Sequence, residues 1–319
     1  MLNIGGFFEL EIPKGREFHI TPYRFSLARH ALAAVLLKRE IQTLYVPEYL
    51  CESILDAVHS VGAQAKFYGL QDIFNPELPK YLGANEAVLL INYYGLVDIE
   101  SLLKKVHGRA ILDNSQSFFS PPPSGVDTFY SARKFFGVPD GSYLYTDMDI
   151  QEWFFGLPAT RAFSLMQHLV DRVDGYQQDA YLAFKEVKLH LRRLPMARIS
   201  ETSHRLLSSI NYAKCKKIRL RNFQFLNLAL KKHNEMEFSP TSVPMYYPLL
   251  VDDGKVLRER LIQLGIFIPM YWPYVETHSL PGSTAHRLAD DMVCLPIDHR
   301  YTEKHMKIIV KEVVKFLGS

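Results

Sequence analysis

Tyr130-Ser-Ala-Arg-Lys-Phe-Phe-Gly-Val-Pro-Asp-Gly-Ser142, with Leu112-Asp-Asn-Ser-Gln-Ser117 upstream of it, is the stretch that decides the reading of this chain. A β-type run ends near Tyr130, and a lysine follows in the loop, with a hydroxyl three residues before it and a glycine-bearing turn after it. A lysine held at a strand end can be desolvated, which lowers its pKa and frees the amine to attack a carbonyl. Lys134 is therefore a candidate nucleophile and Ser131 a candidate hydrogen-bond donor to an anion. Upstream, Arg109–Asp113 reads as a strand that ends in a carboxylate.

Working outward, helix and strand patterns alternate. Ser26–Arg39 carries apolar residues at helical spacing with Ser26 as the expected N-cap, and Thr43–Val46 reads as a strand stopped by Pro47. A helix over Cys51–Val61 ends at Gly62, and Gln64–Tyr68 is the next strand. Ala87–Tyr93 follows as a buried strand, then Ile99–Val106 as a helix, Arg109–Asp113, and a strand over Ser142–Thr146. Such alternation predicts an α/β fold with a mostly parallel central sheet, whose ligands gather beyond the carboxyl ends of the strands. That rule places Asp113 where chemistry is expected. Residues 150–230 read as helix-rich, with Arg192–Arg193 and Lys214–Arg221 expected on solvated faces. After Ser239–Val243 the chain reads as strand Met245–Val251, helix Lys255–Leu264, a short strand, and a last helix near Glu303–Leu317. Two domains are expected: a large one over 15–235 and a small C-terminal α+β one over 236–319, with residues 1–14 packing on either.

With 319 residues, 48% hydrophobic and 22% charged, the chain can bury a large core and a satellite. A net charge of +3, from 37 Lys/Arg against 34 Asp/Glu, gives no basis for a nucleic-acid partner. Cys51, Cys215 and Cys294 are far apart and lack metal or disulfide spacing, and none is assigned a catalytic role. The twelve histidines form no H-x-x-x-H or H-E-x-x-H pair, so no metal is expected. Apolar runs are shorter than the ~20 residues needed to cross a bilayer. Met1–Pro13 does not have the layout of a signal peptide. A cytoplasmic location is expected, without membrane attachment.

Three parts of one cofactor site then occur in order. Ala28-Arg-His-Ala-Leu32 opens a helix whose free N–H groups suit a phosphate, with Arg29 and His30 as possible partners. Asp113 can keep a pyridine nitrogen protonated, and Lys134 can form a Schiff base. At this point the chain resembles the DegT/DnrJ/EryC1/StrS aminotransferases, the sugar-aminotransferase branch of the fold-type I enzymes that use pyridoxal 5′-phosphate (PLP). Lys134 to Thr146 is similar, without a gap, to the family's K-x-x-G-x-G-E-G-G-x-x-x-T segment, and Leu112 to Ser117 to its E-D-A-A-Q-A segment. Val46-Pro47 through Val61-Gly62-Ala63, Asn92-Tyr-Tyr-Gly95, Arg198-Ile-Ser-Glu201, Leu264-Gly-Ile266 and Cys294-Leu-Pro-Ile297 resemble further landmarks.

The resemblance implies a divergent, short fold-type I enzyme. By it Lys134 is the Schiff-base lysine, Asp113 binds the pyridine nitrogen, and Gln116 lies near the ring's phenolic oxygen. It also implies a homodimer with Arg198 reaching the neighbouring subunit's site, and substrate contacts from Tyr94 and Trp272. The reaction implied is transfer of an amino group from an amino acid, glutamate by analogy, to a keto-sugar, nucleotide-linked, for surface-polysaccharide or secondary-metabolite synthesis. Several positions depart from the family. Its S-G-T-x-A-L phosphate loop is here Leu27-Ala-Arg-His-Ala-Leu32, and the hydroxyl five residues before the lysine is Phe129. Ser131 stands in as in the S-x-x-K of classical aminotransferases. The ring-stacking aromatic falls at Cys51, leaving Tyr49 as its replacement, and Met196 stands where an asparagine is usual. Two rival readings remain: a non-catalytic binding or regulatory protein on the same fold, and another PLP-dependent class such as a lyase. The aromatics Tyr246, Tyr247, Tyr271 and Trp272 are read either as core or as a stacking surface for a base.

Overall fold

The computed structural model describes residues 5–238, 240 and 242–318. In chain order these form β1 (Arg24–Phe25), α1 (Ala28–Lys38), β2 (Thr43–Pro47), α2 (Glu52–Ser60), β3 (Gln64–Tyr68), β4 (Leu70–Asp72), β5 (Asn75–Pro76), β6 (Glu86–Ile91), α3 (Ile99–Leu103), β7 (Arg109–Asp113), β8 (Asp127–Ser131) and β9 (Ser142–Tyr145). There follow α4 (Gln151–Gly156), α5 (Phe163–Val173), α6 (Gln177–Arg193), α7 (Glu201–Ser208), α8 (Tyr212–Leu230), β10 (Tyr246–Leu250), α9 (Gly254–Gln263), α10 (Thr284–Asp291), β11 (Met292–Pro296) and α11 (Glu303–Leu317).

The main sheet runs β1-β9-β8-β7-β6-β2-β3. From β3 to β8 every pairing is parallel, and β9 and β1 add antiparallel strands at one edge. Helices cover both faces, so central strands must be apolar on both sides. Ala87 to Ile91 of β6 and Ile111 to Asp113 of β7 are accordingly buried throughout. In register, Asp113 pairs with Ile91 and with Phe129, which sets the ends of β6, β7 and β8 side by side.

A second, smaller sheet pairs β10 with β11 antiparallel. Period-two alternation divides β10 between two apolar cores: Tyr246 and Leu250 face the large one, Tyr247 and Leu249 the small one. The small core is completed by Phe223, Leu226 and Leu230 of α8, Leu257 and Leu261 of α9, and Met306, Ile309 and Val313 of α11. The spacing of those last three residues lays one stripe of the helix into the small core.

Two local readings are corrected. Ser26 does not cap α1: Leu27 holds the N-cap position, and the Ser26 hydroxyl instead donates to His30 Nδ1 at 2.8 Å. Arg219 is not on a solvated face. It is 2% exposed, donates to Met245 O and Phe135 O, and lies 4.6 Å from the Phe135 ring centroid. Charge on α8 predicted solvation, but Arg219 falls on the helix face toward the large core, where two carbonyls and an aromatic ring receive its terminal nitrogens and its Nε has no hydrogen-bond partner among the described residues.

Candidate active site

Asp113 is the last residue of β7 and is 6% exposed. Its Oδ1 accepts the Ser115 N–H at 2.7 Å, and burial pushes the carboxyl above the ordinary carboxylate range, an effect opposed by the charge on Lys134. Lys134 closes the 3-10 turn Ala132–Lys134 that follows β8, a turn fastened by Phe135 and Phe136 N–H donating to Ala132 O. The carboxylate and the amine thus stand at neighbouring strand ends, near enough for the charge on Lys134 to act on the Asp113 carboxyl. Gln116 Oε1 accepts the Tyr94 N–H at 3.1 Å, while its buried Nε2 has no partner. Ser131, buried at the end of β8, pairs in register with Ser142.

Behind these groups runs a buried chain of hydrogen bonds. Asn92 donates to Asn114 Oδ1, Asn114 donates to the Tyr130 hydroxyl, and that hydroxyl donates to Ser120 O. Such a network fixes the loop after β7 in one arrangement.

Tyr49, Tyr94 and Trp272 come together. The Tyr49 and Tyr94 hydroxyls are 3.1 Å apart, and the Tyr49 and Trp272 rings 4.8 Å between centroids. Tyr246 and Tyr271 extend the cluster on the large-core side, while Tyr247 faces away into the small core. Of the two readings of these aromatics, packing accounts for Tyr247.

Arg29 and His30 are drawn toward α6. Arg29 donates to Leu191 O and Leu194 O at the helix end. His30 Nε2 donates to Leu194 O at 3.1 Å while Nδ1 accepts from Ser26, so the ring is neutral, and burial takes its pKa down to about 4. Both ring nitrogens are thereby engaged within the protein. Arg198 donates through Nε to Leu157 O at 2.8 Å and lies over the Phe155 ring.

Sequence reasoning missed Asp140. Its carboxylate accepts the Ser200 N–H at 2.8 Å, the Ser200 hydroxyl at 2.5 Å and the Ser203 hydroxyl, tying the loop after Lys134 to the start of α7. The next residue, Gly141, has φ +138°, and a Cβ there would lie 3.3 Å from Ile199 and 3.4 Å from Ala132. The Asp-Gly pair followed by Ser-Glu sixty residues on was the available signal. Among the described residues no group of three or more His, Cys, Asp or Glu side chains could hold a metal, and no helix is long and apolar enough to cross a membrane.

Chemically, the carboxylate, the amine and the free amide N–H suit a pyridine ring that bears an aldehyde and an acidic hydroxyl. No family model and no curated protein matches the chain. Solved structures do. A DegT DnrJ EryC1 StrS aminotransferase from Brucella abortus superposes with TM-score 0.63 at 16% identity, over 93% of this chain and 86% of that one. The sugar aminotransferase CalS13 from Micromonospora echinospora gives 0.62 at 14%, over 91% and 86%. A Streptococcus pneumoniae protein solved in its PLP-form gives 0.61 at 12%, over 90% and 84%. The likeness establishes the fold: α/β of fold-type I, with its mostly parallel central sheet.

Proposed function

We propose that the chain is a PLP-dependent aminotransferase that moves an amino group from an amino acid, glutamate first among them, to a keto-sugar carried on a nucleotide. The observation that carries this reading is the placement of Asp113 and Lys134 at adjacent strand ends, with Gln116 Nε2 unpartnered beside them. When bound, PLP supplies an aldehyde that takes up and gives back an amino group, and a ring that accepts electrons from a carbanion. Lys134 Nζ is the group that would hold PLP through its aldehyde and, once free, would take up the proton from the α-carbon of the amino donor. Asp113 would accept a hydrogen bond from the protonated pyridine nitrogen, and Gln116 Nε2 would donate to the ring hydroxyl. Burial of Asp113 excludes water from that contact and strengthens it. The Tyr49, Tyr94 and Trp272 cluster would orient the acceptor. Sugar as the acceptor follows from the sugar aminotransferase named among the structural neighbours. A homodimer, with Arg198 at the subunit boundary, belongs to the same reading, as does the division into domains 15–235 and 236–319.

The test is spectroscopic. Purified protein with added PLP is expected to develop a band near ~420 nm that Lys134→Ala abolishes, and glutamate is expected to bleach it. A protein that forms the band but ignores every common amino donor is not an aminotransferase. One observation favours a second reading, a binding protein without catalysis: Leu27, at the head of α1, is packed under Leu165, Val187 and Leu191. Absence of any band would decide for it.

A further inference from the structure

The head of α1 is built differently from a hydroxyl-lined phosphate loop. Leu27 is the N-cap and no side chain accepts from the first turn. The N–H groups of His30 and Ala31 turn back to Leu27 O, which leaves those of Ala28 and Arg29 leading the helix with no acceptor among the described residues. The residue before Lys134 supplies the second observation. Arg133 Nε is fully buried without a hydrogen-bond partner, and the guanidinium makes no ion pair among the described residues.

Backbone hydrogen bonds place Arg133 near that helix head: Gly141 N–H donates to Ser26 O at 2.7 Å, and the N–H of Ala132, the residue before Arg133, donates to Gly141 O at 3.0 Å. The charge on Arg133 is close enough to Arg29 for the two cations to oppose each other. It also acts on His168 of α5, whose buried Nδ1 is likewise unpartnered. Leu165, one turn earlier on α5, packs directly on Leu27. The nearest compensating carboxylate, Asp140, already accepts from Ser200 and Ser203, and Asp171 lies a further turn along α5, beside His168. Arg29 already gives its guanidinium to Leu191 O and Leu194 O, with the charge of Asp56 in range, whereas the buried Nε of Arg133 is left without an acceptor, and an anion beside it offsets that cost.

The chemistry of PLP fits this position. Its phosphate arm is on the ring carbon next to the one bearing the aldehyde, so whatever meets the phosphate must stand beside the Schiff-base lysine and away from the carboxylate at the ring nitrogen. We propose that Arg133 is the phosphate anchor of this chain, acting with the leading N–H groups of α1 and with His168 in place of the hydroxyls that Leu27-Ala-Arg-His and Phe129 do not provide. The proposal rests on the PLP reading above.

Titration of the apoprotein with PLP and with pyridoxal, which lacks the phosphate, separates the two. The wild-type chain is expected to bind PLP ~100-fold more tightly than pyridoxal, and Arg133→Gln to lose ~10- to 100-fold in PLP affinity while binding pyridoxal as before. Arg133→Lys, which keeps the charge but not the fork, should lose less. Inorganic phosphate should compete with PLP in the wild type and much less in Arg133→Gln. Unchanged PLP affinity in both variants, or equal loss of both ligands in Arg133→Lys, overturns the anchor while leaving the PLP reading in place. Failure of the wild type to bind either ligand overturns that reading, and the anchor with it.

Discussion

At the scale of single residues, Asp113 is an expensive group to keep. Its carboxyl titrates above the ordinary carboxylate range because it is buried, so the native chain holds that proton more tightly than the unfolded chain. The cost is therefore absent at low pH and grows as pH rises through the folded-state value. Asp113→Asn should raise the melting temperature of the apoprotein at pH 7, with the gain vanishing near pH ~4. The same variant should lower transamination by about 10²-fold or more, since the ring nitrogen then loses its counter-charge. A variant that melts below wild type at pH 7 would contradict this account of the carboxyl. Arg219 teaches the opposite lesson about cost. Burial pulls its guanidinium down to about 10, yet Met245 O, Phe135 O and the Phe135 ring receive it.

At the scale of elements, the Asp140 carboxylate joins the lysine loop to α7 through three donors. Asp140→Ala leaves one N–H and two hydroxyls buried without that acceptor, and should cost ~2 to 4 kcal/mol in urea denaturation. An unchanged midpoint would mean that the loop is held by other contacts. The strands were readable because they alternate or run apolar: Gln64–Tyr68 and Arg109–Asp113 are observed with those bounds, and the others within a few residues. Asp113 and Lys134 were readable because strand ends in a parallel sheet are adjacent whatever the loops between them do. The head of α1 was not readable. Whether Ser26 caps the helix or serves His30 depends on Leu194 O, far along the chain, which orients the imidazole. Arg219 was misread for the same reason: helical spacing marks a face as charged but not which partner waits opposite it. The alternation gave no warning of β4 and β5, a small antiparallel pair between β3 and β6.

For the whole molecule, the hairpin of α5 and α6 is the least settled surface. Leu182 and Leu189, two turns apart on α6, are 58% and 60% exposed, and Phe163 at the head of α5 is 94% exposed. Apolar faces of this kind mark an interface. Sedimentation is expected to give twice the chain mass, and Leu182→Glu with Leu189→Glu to give monomers with unchanged circular dichroism. A wild-type monomer would remove Arg198 from any role in a partner's site. The ends of the hairpin meet α1 at the head of that helix. Asp113, Gln116 and Lys134 come from one continuous stretch of chain, whereas the residues packed on Leu27 come from α5 and α6, beyond that stretch. Inheritance can treat these two halves separately. A lineage is free to rewrite what packs on the head of α1 without moving Asp113, Gln116 or Lys134, whereas a change at Arg133 is made inside their own stretch. Chains that share so few residues with this one can therefore keep the sheet and its strand ends while building the head of that helix in another way.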